Sequence, residues 1–264
     1  AAPRRGSLRG SGRRKARRAL NAPALYATRP IRDHRRFFNE RHGERKMGKV
    51  DSLCSAGHLA ATAQFAQWAP KALEGFQALA SGAFASGALS VREKELIAFG
   101  CAHVLRCPYC IDYHHGLASG AGASRTELTE AVWVAIAMAA APPLAHASIA
   151  LALLDGKAGG DYYATGDGDA LDRLGAQLPA AAQAYNALQA SAFETGAMPG
   201  ALKALTAVAC AHNLRCPYTI ERSVERALAE GCSKAAIAEA IFVAIEMAAG
   251  ACLGHAGLAA ALMA

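Results

Sequence analysis

From residue 58 onward, apolar residues recur at spacings of three and four, and no segment alternates apolar and polar positions with the period of a strand. The pattern predicts helices over 58–68 and 71–81. A third begins after Ser90, a good N-cap whose partner Glu93 completes a capping box, and runs toward Arg106. Cys107-Pro108 restarts a helix, because proline suits the first helical position. Gly120 and Gly122 end it. Ser124, again with an acid three residues on at Glu127, caps the next. Ala141-Pro142-Pro143 is expected to break that helix and leave a last one over 144–154.

The order then repeats. Residues 70–154 superpose on 179–263 at a constant shift of 109 without gaps. Cys101-Ala-His-Val-Leu-Arg-Cys-Pro-Tyr109 matches Cys210-Ala-His-Asn-Leu-Arg-Cys-Pro-Tyr218. Glu130-Ala-Val-Trp-Val-Ala-Ile-Ala-Met138 matches Glu239-Ala-Ile-Phe-Val-Ala-Ile-Glu-Met247, and His146 matches His255. Chance does not produce such a run, so the chain carries an internal duplication. Its second copy is punctuated at Pro199, Cys216-Pro217, Gly231-Cys232-Ser233 and Gly250. The expected organisation is an arm over 1–49, a first repeat over 50–154, a Gly-rich linker over 155–170 and a second repeat over 171–264. The fold class is all-α.

Composition supports helices. Alanine dominates the apolar 53% and loses no side-chain entropy in a helix. Charge changes the picture of the arm. Residues 1–49 hold 16 Lys and Arg against 3 acids, while the rest holds 12 against 18. The formal charge of +7 therefore comes from the arm, and the remainder is acidic. The arm lacks apolar periodicity and reads as disorder, a targeting sequence or an extension upstream of Met47. Nucleic-acid binding is disfavoured, since no stacking aromatics or recognition motif accompany the arginines. Eight dispersed cysteines do not make a secreted disulfide scaffold, and a cytoplasmic location is expected. The longest apolar runs, interrupted by Pro or Glu, are expected to fall short of membrane spans.

The chemistry-bearing residues lie in the first repeat. Cys107 and Cys110 sit three apart at a helix start, where backbone N–H groups and the helix dipole favour thiolate. His114 follows one turn after Cys110, close enough to exchange its proton. Glu95, on the preceding helix, can reach either if the two helices pack antiparallel. Arg106 is a possible extra positive charge. At the matching positions of the second repeat stand Ala204, Thr219 and Ser223, and only Cys216 survives. The repeat thus keeps its frame and loses its chemistry, which gives one site per chain.

Glu95, Cys107, Cys110 and His114 at these spacings resemble the motif of the alkyl hydroperoxidase D family, within the carboxymuconolactone decarboxylase-like superfamily. The resemblance covers residues 70–154 in full and the second repeat in decayed form. It implies a multi-helix bundle of two tandem repeats of that type and a thiol-dependent peroxidase or disulfide oxidoreductase. Cys110 would attack a small hydroperoxide, Cys107 would resolve it into a disulfide, and His114 and Glu95 would relay protons. The family often has histidine between the cysteines; here Tyr109 stands there, and its hydroxyl or His115 would substitute. A lipoyl- or thioredoxin-like dithiol donor and a homotrimer are implied.

Two other readings stay open. One is the sister activity on a lactone or small ring acid, whose enzymes generally lack the cysteine pair. The other is a scaffold holding zinc through Cys107, Cys110, His114 and His115. No GxGxxG or P-loop follows a strand, so no flavin, haem or nucleotide cofactor is expected, and no metal is expected because adjacent histidines face different sides of a helix and only one could join the cysteines. Cys101 and Cys210, and His103, His146, His212 and His255, recur in both repeats and read as packing residues. Trp133, Met138, Phe242 and Met247 read as a core face, Glu130 and Glu239 as pairing groups, and Cys54 with His58 as too few ligands for a site.

Overall fold

The computed structural model describes residues 62, 64, 67–156 and 170–263. The arm, most of helix 58–68, Cys54, His58 and most of the linker lie outside them. Among the described residues the protein is all-α, with no strand. The first repeat comprises α1 (Pro70–Phe84), α2 (Val91–Val104), α3 (Pro108–Gly120), α4 (Arg125–Ala145) and α5 (Ala147–Leu154). Then come α6 (Ala170–Gln177), α7 (Pro179–Phe193), α8 (Gly200–Leu214), α9 (Pro217–Ala229) and α10 (Lys234–Met263).

Both predicted capping boxes form. The Ser90 and Ser124 hydroxyls accept from the N–H of Glu93 and Glu127, whose carboxylates accept from the serine N–H in return. Gly122 ends α3 with φ 88°, and Gly231 ends α9 with φ 76°. Two arginines take the same left-handed conformation, Arg106 at φ 54° and Arg215 at φ 56°. Each turns the chain so that the next residue, Cys107 or Cys216, is the N-cap of the following helix.

The predicted break at Pro142-Pro143 falls later. Neither proline has an N–H to give the preceding turn, yet α4 continues to Ala145 and stops at His146, whose N–H donates to Pro142 O at 2.9 Å. The second repeat has Ala251 and Cys252 at these positions, so α10 runs thirty residues straight through Gly250. Gly250 is therefore not a terminator. On length and composition, α10 and the stretch Arg125–Leu154 are apolar and long enough to cross a bilayer, which corrects the expectation that they fall short. In this fold they are core helices, with Val134, Met138, Val243 and Met247 buried.

At the centre α2 packs on α8, and α4 and α10 each touch both. Leu96, Ile97, Ala102, Val208 and Ala211 of these two helices are buried in the common core, and the thiols of Cys101 and Cys210 meet between the helices. The hydrogen bond from Cys101, with burial, pushes the Cys210 thiol well above its ordinary value. Of the repeated histidines, His103 and His212 each place Nδ1 2.7 Å from the carbonyl four residues back.

Two reciprocal clamps tie the repeats. Glu239 accepts from the N–H of Ala88 (2.7 Å) and Leu89 (3.0 Å) and pairs with Lys94 at 3.0 Å. Glu130 does the same for Ala197 (2.8 Å), Met198 (2.9 Å) and Lys203 (2.9 Å). Each lysine is 2% exposed and also donates to a backbone carbonyl, Ala85 O or Glu194 O. Each carboxylate approaches so closely that a Cβ on Gly87 or Gly196 would lie 2.2 or 2.3 Å from it. Glycine is required there for proximity.

The expected aromatic core face is half right. Met138 and Met247 are buried, but Trp133 and Phe242 are about half exposed. Five residues along a helix turn the side chain well away from its starting face, so the two members of each pair point different ways.

Candidate functional site

Cys107 is the N-cap of α3, and its Sγ accepts from the Cys110 N–H at 3.2 Å. The left-handed Arg106 and Pro108 fix that entry, which brings the two cysteines to a Cα separation of 5.3 Å with their sulfurs joined in a disulfide. One turn on, His114 points back toward α2. Its Nδ1 lies 2.8 Å from Glu95 Oε2, and both side chains are buried. Phe84 stacks on the imidazole at 5.6 Å, and Tyr113 meets it edge-on at 5.2 Å. The carboxylate holds the ring by one nitrogen and the aromatics fix its plane, so the other nitrogen has a defined direction.

Cys110, His114 and Glu95 line one cavity of about 440 Å³. Its walls are mostly apolar, from Phe76 and Phe84 of α1, Leu117 of α3, and Met247 and Leu253 of α10. Tyr109 lines it too, its ring edge-on to His255 of the second repeat at 5.4 Å. Such a chamber admits a small, largely apolar molecule and presents it to one sulfur and one imidazole.

The structure thus brings together Cys107, Cys110, His114, Glu95 and Tyr109. It does not bring in His115, which is exposed on another face of α3 with its ring 6.0 Å from Phe99. Adjacent helical residues diverge, so the proposed substitute for a histidine between the cysteines is not His115. Arg106 is also exposed and lines no part of the cavity; its contribution is the turn. The four-ligand zinc set therefore does not assemble, and no group of three or more metal-ligating side chains occurs among the described residues.

One lining residue was missed from the sequence. Glu246, on α10 of the second repeat, faces this cavity, and its Oε2 is buried without a hydrogen-bond partner among the described residues. Burial pushes its carboxyl above the ordinary glutamate range; His114 opposes that and Glu95 adds to it. The duplication held the signal, because Ala137 of the first repeat stands opposite Glu246 in an otherwise apolar match.

The second repeat keeps a matching cavity of about 290 Å³. Thr219 and Ser223 replace Cys110 and His114, and both hydroxyls donate to backbone carbonyls, Cys216 O at 3.0 Å and Ile220 O at 2.9 Å. Arg222 and Arg226 stand where the first repeat has Tyr113 and Leu117, and Arg226 lies 4.1 Å over the Phe193 ring. His146 Nε2 is 3.2 Å from Cys216 Sγ. Of the dithiol, the second repeat keeps only Cys216, which does not line this cavity.

A family model for the carboxymuconolactone decarboxylase family matches residues 70–153 and again residues 179–262. "Uncharacterized protein 4 in cox locus" of Paracoccus denitrificans is 48% identical over 82 residues, 31% of this chain and 74% of that protein. An uncharacterized protein of Cupriavidus necator is 35% identical over 86 residues, 33% of this chain and 76% of its own length. Each alignment has the span of a single repeat. No solved structure matches the chain.

Proposed function

The chain belongs to the carboxymuconolactone decarboxylase family, and from that premise we propose that it is a thiol-dependent peroxidase or disulfide oxidoreductase of the alkyl hydroperoxidase D type. The observation that carries the reading is the bonded Cys107–Cys110 pair beside the buried Glu95–His114 pair, in a cavity sized for a small molecule.

The cycle balances with one hydroperoxide and one external dithiol. In the reduced protein the Cys110 sulfur attacks the terminal peroxide oxygen. An S–O bond forms, the O–O bond breaks, and an alkoxide leaves and takes a proton. Cys107 as thiolate then attacks Cys110 Sγ, forming the disulfide and expelling hydroxide, which is protonated to water. The dithiol donor, lipoyl- or thioredoxin-like, returns two electrons by exchange. His114 accepts the Cys110 proton while Glu95 orients the ring and balances its charge. The disulfide of the structure corresponds to the oxidised resting form. A reducing compartment such as the cytoplasm would supply the donor, and a homotrimer is the proposed assembly.

Mass spectrometry tests the reading. The reduced protein treated with stoichiometric cumene hydroperoxide should lose two hydrogens and yield a Cys107–Cys110 peptide pair. Cys110→Ser should form no such pair and lose peroxide turnover. Full turnover in that variant would overturn the proposal.

A further inference from the structure

The thiol site is chemically complete for attack but not for departure. Cys110 supplies the nucleophile, and the Glu95–His114 pair takes up its proton. The alkoxide that leaves a hydroperoxide is strongly basic and needs a proton donor inside a mostly apolar chamber. Glu95 is committed to His114 Nδ1. Glu246 is not committed: its Oε2 is buried, faces the same cavity and has no partner among the described residues.

We propose that Glu246, carried by the second repeat, is the general acid that protonates the leaving alkoxide at the first repeat's thiol site. The inference rests on the peroxidase reading above and deepens it. Two observations carry it independently. A carboxyl oxygen buried without a hydrogen bond is expensive to keep, and a catalytic role is one recognised reason for keeping one. The second is the asymmetry of the duplication. Glu246 faces the cavity that holds the cysteine pair, whereas its counterpart Ala137 belongs to the repeat whose partner site has lost the pair. The acid occurs only where there is a thiol pair to serve.

The surroundings favour a protonated carboxyl in the resting site. Among the described residues, the titratable groups that line the cavity with Glu246 are Glu95 from α2 and Cys110, Tyr109, Tyr113 and His114 from α3. From α1 come only Phe76, Ala80, Ser81 and Phe84, none of which titrates in the accessible range. Burial raises the Glu246 carboxyl, partly offset by His114 and reinforced by Glu95. As the S–O bond forms and the O–O bond breaks, the electron pair goes to the alkoxide and the Glu246 proton follows it. The product is a neutral alcohol and a carboxylate. The carboxylate regains its proton from solvent once the alcohol leaves.

The test exploits leaving-group basicity. Reduced protein is mixed with tert-butyl hydroperoxide, which expels a strongly basic alkoxide, or with peroxyacetic acid, which expels weakly basic acetate. Disulfide formation is followed in a single turnover. Glu246→Gln should slow the first reaction about 100-fold and the second by less than about threefold, as for loss of a general acid. Glu246→Asp should recover part of the loss, and circular dichroism verifies that the helices are intact. Glu246→Ala is a second variant, since Ala137 shows that this helix position accommodates alanine. Equal slowing toward both peroxides, or slowing toward neither, would overturn the assignment. If the wild type forms no disulfide with either peroxide, the peroxidase reading itself falls and takes the assignment with it.

Discussion

Three buried side chains set the chemistry of the cavity, and they contribute to stability with opposite signs. His114 and Glu95 satisfy one another at 2.8 Å, and removing either leaves the other buried and alone. His114→Asn or Glu95→Gln should slow single-turnover oxidation of Cys110 by about 10²-fold, measured by quenched-flow alkylation. Glu246 works against folding. Its folded-state value is raised above the ordinary 4.5, so stability falls as pH rises from 4.5 through the raised value. Glu246→Ala should therefore raise the melting temperature at pH 7.5 by about 2–4 °C. The gain should shrink as the pH falls toward and below 4.5, since only below the ordinary value does wild type keep the proton in both states. An unchanged difference across that window would exclude a titration origin. The meeting of Glu95 and His114 was legible because their spacing from the cysteines is unusual and matches a known motif. Glu246 was not, because sequence spacing says nothing of a cavity wall contributed from 136 residues beyond Cys110.

Elements were legible where local chemistry decides them. Ser90 with Glu93, Ser124 with Glu127, Cys107-Pro108 and Gly122 all mark the helix ends that form. Two boundaries were misplaced: at Pro142-Pro143 the helix runs on to Ala145, so the prolines fall in its last turn, and at Gly250 packing of α10 in the core outweighs glycine's penalty of about 1 kcal/mol. Pairing between elements was read only as far as its residue types. That Glu130 and Glu239 each cap the other repeat's helix entry depends on three-dimensional reciprocity. Burial works against both charges, but the backbone hydrogen bonds and the lysine outweigh it and hold both carboxyls below 4.5. Their contribution is complete above pH 4.5 and is lost as pH falls through the lowered values. An acid titration of helicity should show this limb, and Glu130→Gln/Glu239→Gln should flatten it. Each substitution leaves a lysine only 2% exposed without its carboxylate, which costs on the order of 3 kcal/mol in chemical denaturation.

The whole molecule shows a matched pair of half-exposed apolar positions, Trp133 with Ile136 on α4 and Phe242 with Ile245 on α10. Such paired surface rows suit contacts between copies of the chain, in keeping with the proposed trimer. Light scattering after size exclusion should give three chains per particle, and Trp133→Glu/Phe242→Glu should give one. The duplication was fully legible, and the sequence alone suggested one half that keeps the chemistry and one that has lost it. The clamps and Glu246 show instead that each half completes the other. A chain with one repeat would have to obtain its partner from an identical copy, and any change to one cavity would then appear in every cavity. Fusing the two removes that constraint. Each half becomes free to specialise as the wall of its neighbour's chamber, so a substitution beyond residue 179 should alter the proposed chemistry at Cys110 without touching the motif. Genetic screens for loss of activity should therefore return hits in both halves, with those in the second half gathered along α10.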